Sequence, residues 1–295
     1  MRCRIGITLG DPAGIGPEIV RAALISGRLP GTAEYLVVGR PVDCSLGQPT
    51  RETARAAFDA LEESAALASK GEIEAIVTGP IHKARMYEVG FKFPGQTEFF
   101  AARCGVKNVA MLLTGGKLTV ALVTIHLPFA EVAAALTRDE IARVGLLLEE
   151  FLHRRGIPKP RIAVAGLNPH AGESGALGRE EIETIAPAIA KLRKTLGNRA
   201  VVAGPFAPDT IFYHAANGEW DGVLCMYHDQ GLIPLKLHAF HGGVNVTLGL
   251  PFPRTSPDHG TAFEIAGKNT ARPDSMIAAI NLAVELARSG PVRTP

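Results

Sequence analysis

This 295-residue chain has few cysteines, no long apolar run and no block of one charge. Its four cysteines, Cys3, Cys44, Cys104 and Cys225, show no CxxC spacing, which argues against a disulfide framework and reads as reduced core thiols. No run reaches the roughly 18 apolar residues of a membrane helix. The opening MRCRIGITLGD has no signal-type apolar core, so cytoplasmic residence without a membrane partner is expected. Basic and acidic residues number 31 and 29 with no basic block, which disfavours a nucleic-acid partner and points to a small molecule. Internal repeats and low-complexity segments are absent, and no GxGxxG follows a strand. The length suits two ordinary domains or one large α/β unit.

What is present is an alternation of short β-rich runs with helical stretches. Strands are expected at 2–8, 35–39, 75–79, 161–167, in VVAGP and in GVLCMY. Helices are expected after GDPAGIGPE, over RETARAAFDALEESAALASKGE, from Thr137 to about Arg155 behind a Thr137/Glu140 capping box, over REEIETIAPAIAKLRKTLG, in PDTIFYHAANG, and in PDSMIAAINLAVELARSG behind a Pro/Asp cap. VAMLLTG and KLTVALVT around Gly-Gly-Lys read as a hairpin, with a domain change near 95–108. Strands separated by helices imply right-handed crossovers and a largely parallel sheet. The expected architecture is a three-layer α/β/α protein with two lobes and a cleft between them.

Reactive side chains and glycines are densest from Met226 to Lys268, and within it Lys236, Asn245 and Arg254 follow at intervals of nine in a part rich in glycine and strand-like residues. His126, His170 and His228 each follow a strand-like run, and strand ends of a parallel sheet converge on one crevice, so the three imidazoles can form an open metal site. The alternative is three hydrogen-bonded structural histidines. Asn168 and Glu173 beside His170, and Asp229 and Gln230 after His228, are candidate orienting partners, whereas His82, His153, His214, His238 and His241 read as surface or loop residues. Lys236 near a metal can hold a developing alkoxide or carry a proton, and Asn245 and Arg254 can bind an anion; solvated loop side chains are the alternative, especially for Arg254. In DHGTAFEIAGKNTARP the small residues open a helix and let backbone amides approach a phosphate or an adenine ring. This stretch resembles the cofactor loop of the isocitrate and isopropylmalate dehydrogenases, so NAD or NADP is expected there. GDPAGIGPE reads equally as a phosphate-friendly turn or a plain strand-to-helix connection, with Asp11 its one notable side chain.

Together GDPAGIGPE, FPGQTEFFA, NPHAGE, MYHDQG, GVNVTLGLPFPRTS and DHGTAFEIAG resemble the 4-hydroxythreonine-4-phosphate dehydrogenase family of pyridoxal phosphate synthesis, from residue 6 to about 285. The resemblance implies a two-domain fold akin to isopropylmalate dehydrogenase, with residues 1–95 plus 250–295 as the first lobe and 96–249 as the second. It also implies a homodimer with a shared active site, a divalent metal (Zn, Mg or Co) and NAD or NADP. Carried over, the metal ligands fall on His126, His170 and His228; the substrate contacts on Gln96, Thr97, Lys236, Asn245 and Arg254; catalytic roles on Lys236 and Asp229; and the cofactor contacts on His259, Gly260, Thr261, Ala262 and Asn269. The implied reaction oxidises the secondary hydroxyl of 4-phosphooxy-L-threonine and decarboxylates the 3-oxo acid to 3-amino-2-oxopropyl phosphate. Two departures are visible: the family commonly reads GHTE where this chain has Gly95-Gln96-Thr97-Glu98, and the segment between Gly39 and Arg51 is short. Gln96 keeps open a catabolic relative acting on a phosphorylated four-carbon sugar acid or an aromatic cis-dihydrodiol carboxylate, and three histidines alone would also serve a metal-dependent hydrolase or lyase.

Overall fold

The alternating pattern resolves, in a computed structural model that describes residues 2–290, into strands β1 (Cys3–Thr8), β2 (Ala33–Val38), β3 (Ala75–Thr78), β4 (Ala110–Gly115), β5 (Leu118–Leu122), β6 (Arg161–Ala165), β7 (Val201–Phe206), β8 (Gly222–Cys225), β9 (Val244–Leu248) and β10 (Arg254–Pro257). The helices are α1 (Gly16–Ile25), α2 (Arg51–Ser69), α3 (Lys83–Glu88), α4 (Gln96–Arg103), α5 (Val132–Ala135), α6 (Arg138–Arg154), α7 (Ala186–Leu196), α8 (Ile211–Ala216), α9 (His228–Ala239) and α10 (Asp274–Arg288). None of the described helices is long and apolar enough to cross a membrane. The chain divides into two compact units, one made by the described residues through Lys107 and from His241, the other by Asn108–Phe240.

In the first unit the strand order is β2-β1-β3-β10-β9, parallel except for the antiparallel pair β10–β9. β3 is buried at all four positions, and so is the second half of β1; a strand buried at successive residues needs cover on both faces. Helix α10 lies on β10, β3 and β1, α1 packs on α10, and α2 lies on β1, β3 and β2. A knot of aromatic rings, Phe58, Phe91, Phe93, Phe99 and Phe100, joins α2 to α4 with mostly edge-to-face contacts.

In the second unit β4 and β5 form the expected antiparallel hairpin, and β5-β8-β6-β7 continue in parallel. Side-chain alternation divides the faces. Val120, Leu122, Val223 and Cys225 point to a cluster with Ile211 and Ala215 of α8 and Leu232 and Leu235 of α9. On α6, Leu148 and Leu152 lie against Gly222, and Gly145 faces Leu192 of α7 and Leu224 of β8.

Several local expectations are corrected. Thr137 caps α6 by accepting from the Glu140 amide at 3.1 Å, but the Glu140 carboxylate turns to Arg143, so only half of the capping box forms. Asp274 does not cap α10; its carboxylate binds Arg28 and Arg272. Of the cysteines, all free, only Cys225 is fully buried. The stretch after His259 forms one short 3-10 turn, Phe263–Ile265, because Ala262 at its start is left-handed and stops a helix from opening there. Of the part expected to be strand-like, Asn245 and Arg254 lie on β9 and β10, but Lys236 lies on α9. That helix carries Pro234 internally and is pressed onto β5 and β8 through Gly231, where an added Cβ would lie 3.0 Å from Leu122 and 3.1 Å from the Cys225 sulfur.

Leu148 is fully buried against the β8 face. Leu148→Ala is expected to lower stability by about 2–5 kcal/mol in urea unfolding; a loss under about 1 kcal/mol would contradict this packing.

Candidate functional site

In the first unit the antiparallel pairing sets Asn245 opposite Ser256 and Thr247 opposite Arg254, which puts all four on one face of the hairpin. Arg254 is only 3% exposed, so the solvated alternative is overturned. Its Nη1 donates to Thr247 Oγ1 at 3.2 Å, and Nη2 donates to Thr78 Oγ1 at 2.5 Å and to Gln96 Oε1 at 3.0 Å. These partners are neutral. Burial pushes the guanidinium down to about 10, opposed only by the longer-range pull of Glu98. The Phe100 ring centroid lies 5.9 Å from the guanidinium carbon.

Two buried polar atoms of this face lack a hydrogen-bond partner, Arg254 Nε and Asn245 Oδ1. Orphaned groups of this kind are costly, and a buried cation with an unpaired N–H is chemically suited to an anion. Helix α4 begins at Gln96 and brings Thr97, whose hydroxyl meets Thr247 Oγ1 at 3.1 Å. Gln96 has both ends engaged, since its Nε2 donates to the Gly79 carbonyl at 3.2 Å. Thr78 and Thr247 were not anticipated from sequence, and a lone threonine in a strand gives no signal that could find them.

The His259–Asn269 stretch hangs on the glycine-rich turn after β1. Ile15 donates to the Thr261 carbonyl at 2.9 Å, and a Cβ on Gly14 would lie 2.8 Å from that oxygen, so the two backbones meet where only glycine fits. Glu18 of α1, a further residue that the sequence did not single out, accepts from the amides of Gly267 and Ala271 at 3.1 and 3.2 Å. Asp11 shapes the turn by accepting from the Ala13 amide at 3.0 Å. Thr261 is buried, while His259, Gly260 and Asn269 are exposed. The His259 ring bonds the Gly260 carbonyl at 3.0 Å, and an added Cβ at Gly260 would meet nothing within 4 Å. An exposed loop tied at its base and open at its glycine fits a flat ring or a diphosphate.

In the second unit, His228 is the first residue of α9, three residues beyond the end of β8 rather than at the strand end itself. Its Nδ1 lies 2.7 Å from Asp229 Oδ1. In the neutral imidazole, an Nδ1–H donated to this carboxylate leaves the Nε2 lone pair for a metal. The His126 ring centroid is 5.6 Å from that of His228, and both line a cleft of about 210 Å³ with Thr124, Tyr227 and Asp229. Two imidazoles in one cleft, one oriented by a carboxylate, fit a divalent ion.

His170 is not brought to them: among the described residues no group of three His, Cys, Asp or Glu side chains could hold a metal. It sits instead on a left-handed turn in which His170, Ala171, Gly172, Glu173 and Ser174 all have positive φ, between 44 and 80°. Each non-glycine residue so placed costs about 1–2 kcal/mol. Asn168 does not orient His170; its amide donates to Glu180 at 2.7 Å and to Glu181 at 3.0 Å. Gln230 does not orient His228 either, and spans Met226 N and Gly166 O at 2.7 Å each. Lys236 is half-buried on α9, two turns beyond His228. His238, read as a loop residue, lies on α9, and its Nε2 accepts from the Lys117 amide at 3.2 Å.

Comparison with known proteins identifies relatives over nearly the whole chain. The family model described as "Pyridoxal phosphate biosynthetic protein PdxA" matches residues 21–283. A 4-hydroxythreonine-4-phosphate dehydrogenase of Desulforapulum autotrophicum is 45% identical, covering 95% of this chain and 94% of its own. A D-threonate 4-phosphate dehydrogenase of Pectobacterium atrosepticum is 38% identical over 96% of this chain and 99% of its own. The crystal structure of a 4-hydroxythreonine-4-phosphate dehydrogenase from Klebsiella pneumoniae superposes with a TM-score of 0.82 at 37% identity, covering 97% of this chain and 99% of that one.

A cation with a depressed folded-state pKa opposes folding wherever it is charged, here below about pH 10. Arg254→Met removes that cost and three hydrogen bonds together, so ligand-free stability should change by less than about 2 kcal/mol. The rise in melting temperature given to the native protein by saturating inorganic phosphate should disappear in the variant; a variant that phosphate stabilises equally would refute the anion seat.

Proposed function

The chain belongs to the PdxA family of dehydrogenases, and from that premise we propose that it oxidises the secondary hydroxyl of 4-phosphooxy-L-threonine with NAD or NADP and a divalent metal, the 3-oxo acid then losing carbon dioxide to give 3-amino-2-oxopropyl phosphate. The observation that carries the substrate class is the buried Arg254, held only by neutral partners, with the orphaned Asn245 Oδ1 on the same hairpin face. In this reading Arg254 and Thr97 bind the phosphoryl oxygens, and Asn245 accepts from a donor on the ligand. Gln96 stands behind Arg254 and fixes its plane.

His126, His170 and His228 hold the metal, of which Zn, Mg and Co are the candidates, and the turn at His259, Gly260, Thr261 and Ala262, with Asn269, holds the nicotinamide cofactor. The ion supplies Lewis acidity at the secondary hydroxyl, and the nicotinamide supplies the hydride acceptor. Asp229 keeps the His228 Nδ1 proton in place. The Lys236 ammonium donates to the substrate oxygen and holds the developing alkoxide as the hydroxyl proton passes to solvent.

Because the described residues gather only His126 and His228, we assign completion of the ligand set to a cytoplasmic homodimer. The apolar side chains that α9 exposes, Ile233 and Leu237, with Phe240 just beyond, suit such an interface.

A second substrate is favoured by one relative, the D-threonate 4-phosphate dehydrogenase, and by the amide at position 96. Both acids should be offered with each cofactor and each metal while reduced cofactor is followed by absorbance. The amino acid is expected to show the larger kcat/KM by at least about 10-fold, a difference of roughly 1.4 kcal/mol. A reversed preference would assign the chain to the sugar acid. His228→Ala should lower kcat/KM by roughly 1000-fold, as expected from loss of several kcal/mol of charge stabilisation; near-native turnover in that variant would end the metal reading.

A further inference from the structure

Glu181 is a carboxylate that the reaction has no use for, yet it is 3% exposed and enclosed by the chain. It opens a short π-helical turn, Glu181–Ile185, just before α7. Its Oε1 accepts from the amides of Leu167 and Asn168 at 2.7 and 2.8 Å, and its Oε2 accepts from Asn168 Nδ2 at 3.0 Å. The cage around it is glycine-lined: a Cβ on Gly172 would lie 2.6 Å from Oε2 and one on Gly166 3.1 Å from Oε1. Gly166 is in turn tied to the foot of α9, since Gln230 Nε2 donates to its carbonyl and Gln230 Oε1 accepts from Met226 N. The left-handed turn that presents His170 thus starts from a backbone fixed on both sides by buried side chains.

We propose that Glu181 is a positioning residue for His170, its carboxylate anchoring residues 167 and 168 so that the strained turn 170–174 holds the imidazole where a metal can use it. Strain explains the need. A turn with four left-handed non-glycine residues relaxes to ordinary backbone once its anchor is loosened, and the ring then leaves its place. A carboxylate suits the task because all three of its partners donate. A glutamine at 181 offers one acceptor and turns an N–H toward the Asn168 amide. The inference rests on the metal reading given above.

The test is Co²⁺ binding by the full-length protein, followed by calorimetry and by the visible absorption of the bound ion, in native protein and in the Glu181→Gln, His170→Ala and Asn168→Ala variants. Glu181→Gln is expected to bind Co²⁺ about 10–100-fold more weakly and with an altered spectrum. Its response to inorganic phosphate, which reports on the first unit, should remain native. Its kcat should recover at saturating metal, which the kcat of His170→Ala should not. A Glu181→Gln protein with native Co²⁺ affinity and spectrum, alongside a His170→Ala protein that has lost them, overturns the positioning role and leaves the metal reading standing. If His170→Ala also binds Co²⁺ as the native protein does, the metal reading itself falls and the inference with it. Asn168→Ala, which removes the side-chain donor to both Glu181 Oε2 and Glu180, answers the same question should Glu181→Gln not fold, with Glu180→Ala as the control for the second contact: Co²⁺ binding several-fold weaker than in both the native protein and Glu180→Ala supports the role, and binding unchanged, or weakened no more than in Glu180→Ala, overturns it.

Discussion

A guanidinium enclosed by hydroxyls and an amide, with no carboxylate beside it, is the constraint around which the first unit is arranged. Burial of an uncompensated charge disfavours the charged form, and Arg254 accordingly has a lowered pKa. Its surroundings make that tolerable without cancelling the charge. Three partners come from β3, β9 and the start of α4, so strand order and helix placement in this unit are also the condition for holding one cation still. A paired carboxylate would have made the residue more comfortable and useless to an anionic ligand.

The second unit meets a different demand, that of holding imidazoles without filling the space in front of them. It does so with backbone in sparsely populated conformations: His126 has φ 49° and His170 φ 52°. Such residues persist only where surrounding contacts over-determine them. The contacts here are polar and internal, running from Met226 through Gln230 and Gly166 to Glu181 and Asn168. Both units therefore fix their candidate ligand-binding side chains by means of side chains that have no such role.

How much of this was legible depends on distance along the chain. Strands and most helices were readable because apolar periodicity is local, and the three histidines and Arg254 stood out by type and by motif. Helix α9 was not readable: Gly231 and Pro234 argue against a helix, and it forms because Leu232 and Leu235 gain burial against the sheet while Gly231 permits close approach. For Arg254 the solvated alternative stayed open in the sequence for a related reason. Its partners Thr78 and Gln96 lie 176 and 158 residues away, and no local pattern says what will fold over a side chain. Glu181 was hidden more deeply, since an acidic residue in a helical stretch ordinarily faces water.

The amide at position 96 has a consequence for how the protein meets changing acidity. An imidazole in contact with Arg254 would gain and lose a proton between about pH 5 and 8 and would alternately repel and accept from the guanidinium. Thr78, Thr97, Thr247, Gln96 and Arg254 all keep one charge state across that range. An anion held by these five side chains would therefore owe any change of affinity with acidity to its own proton, the charge of the protein groups around it staying constant as pH drifts.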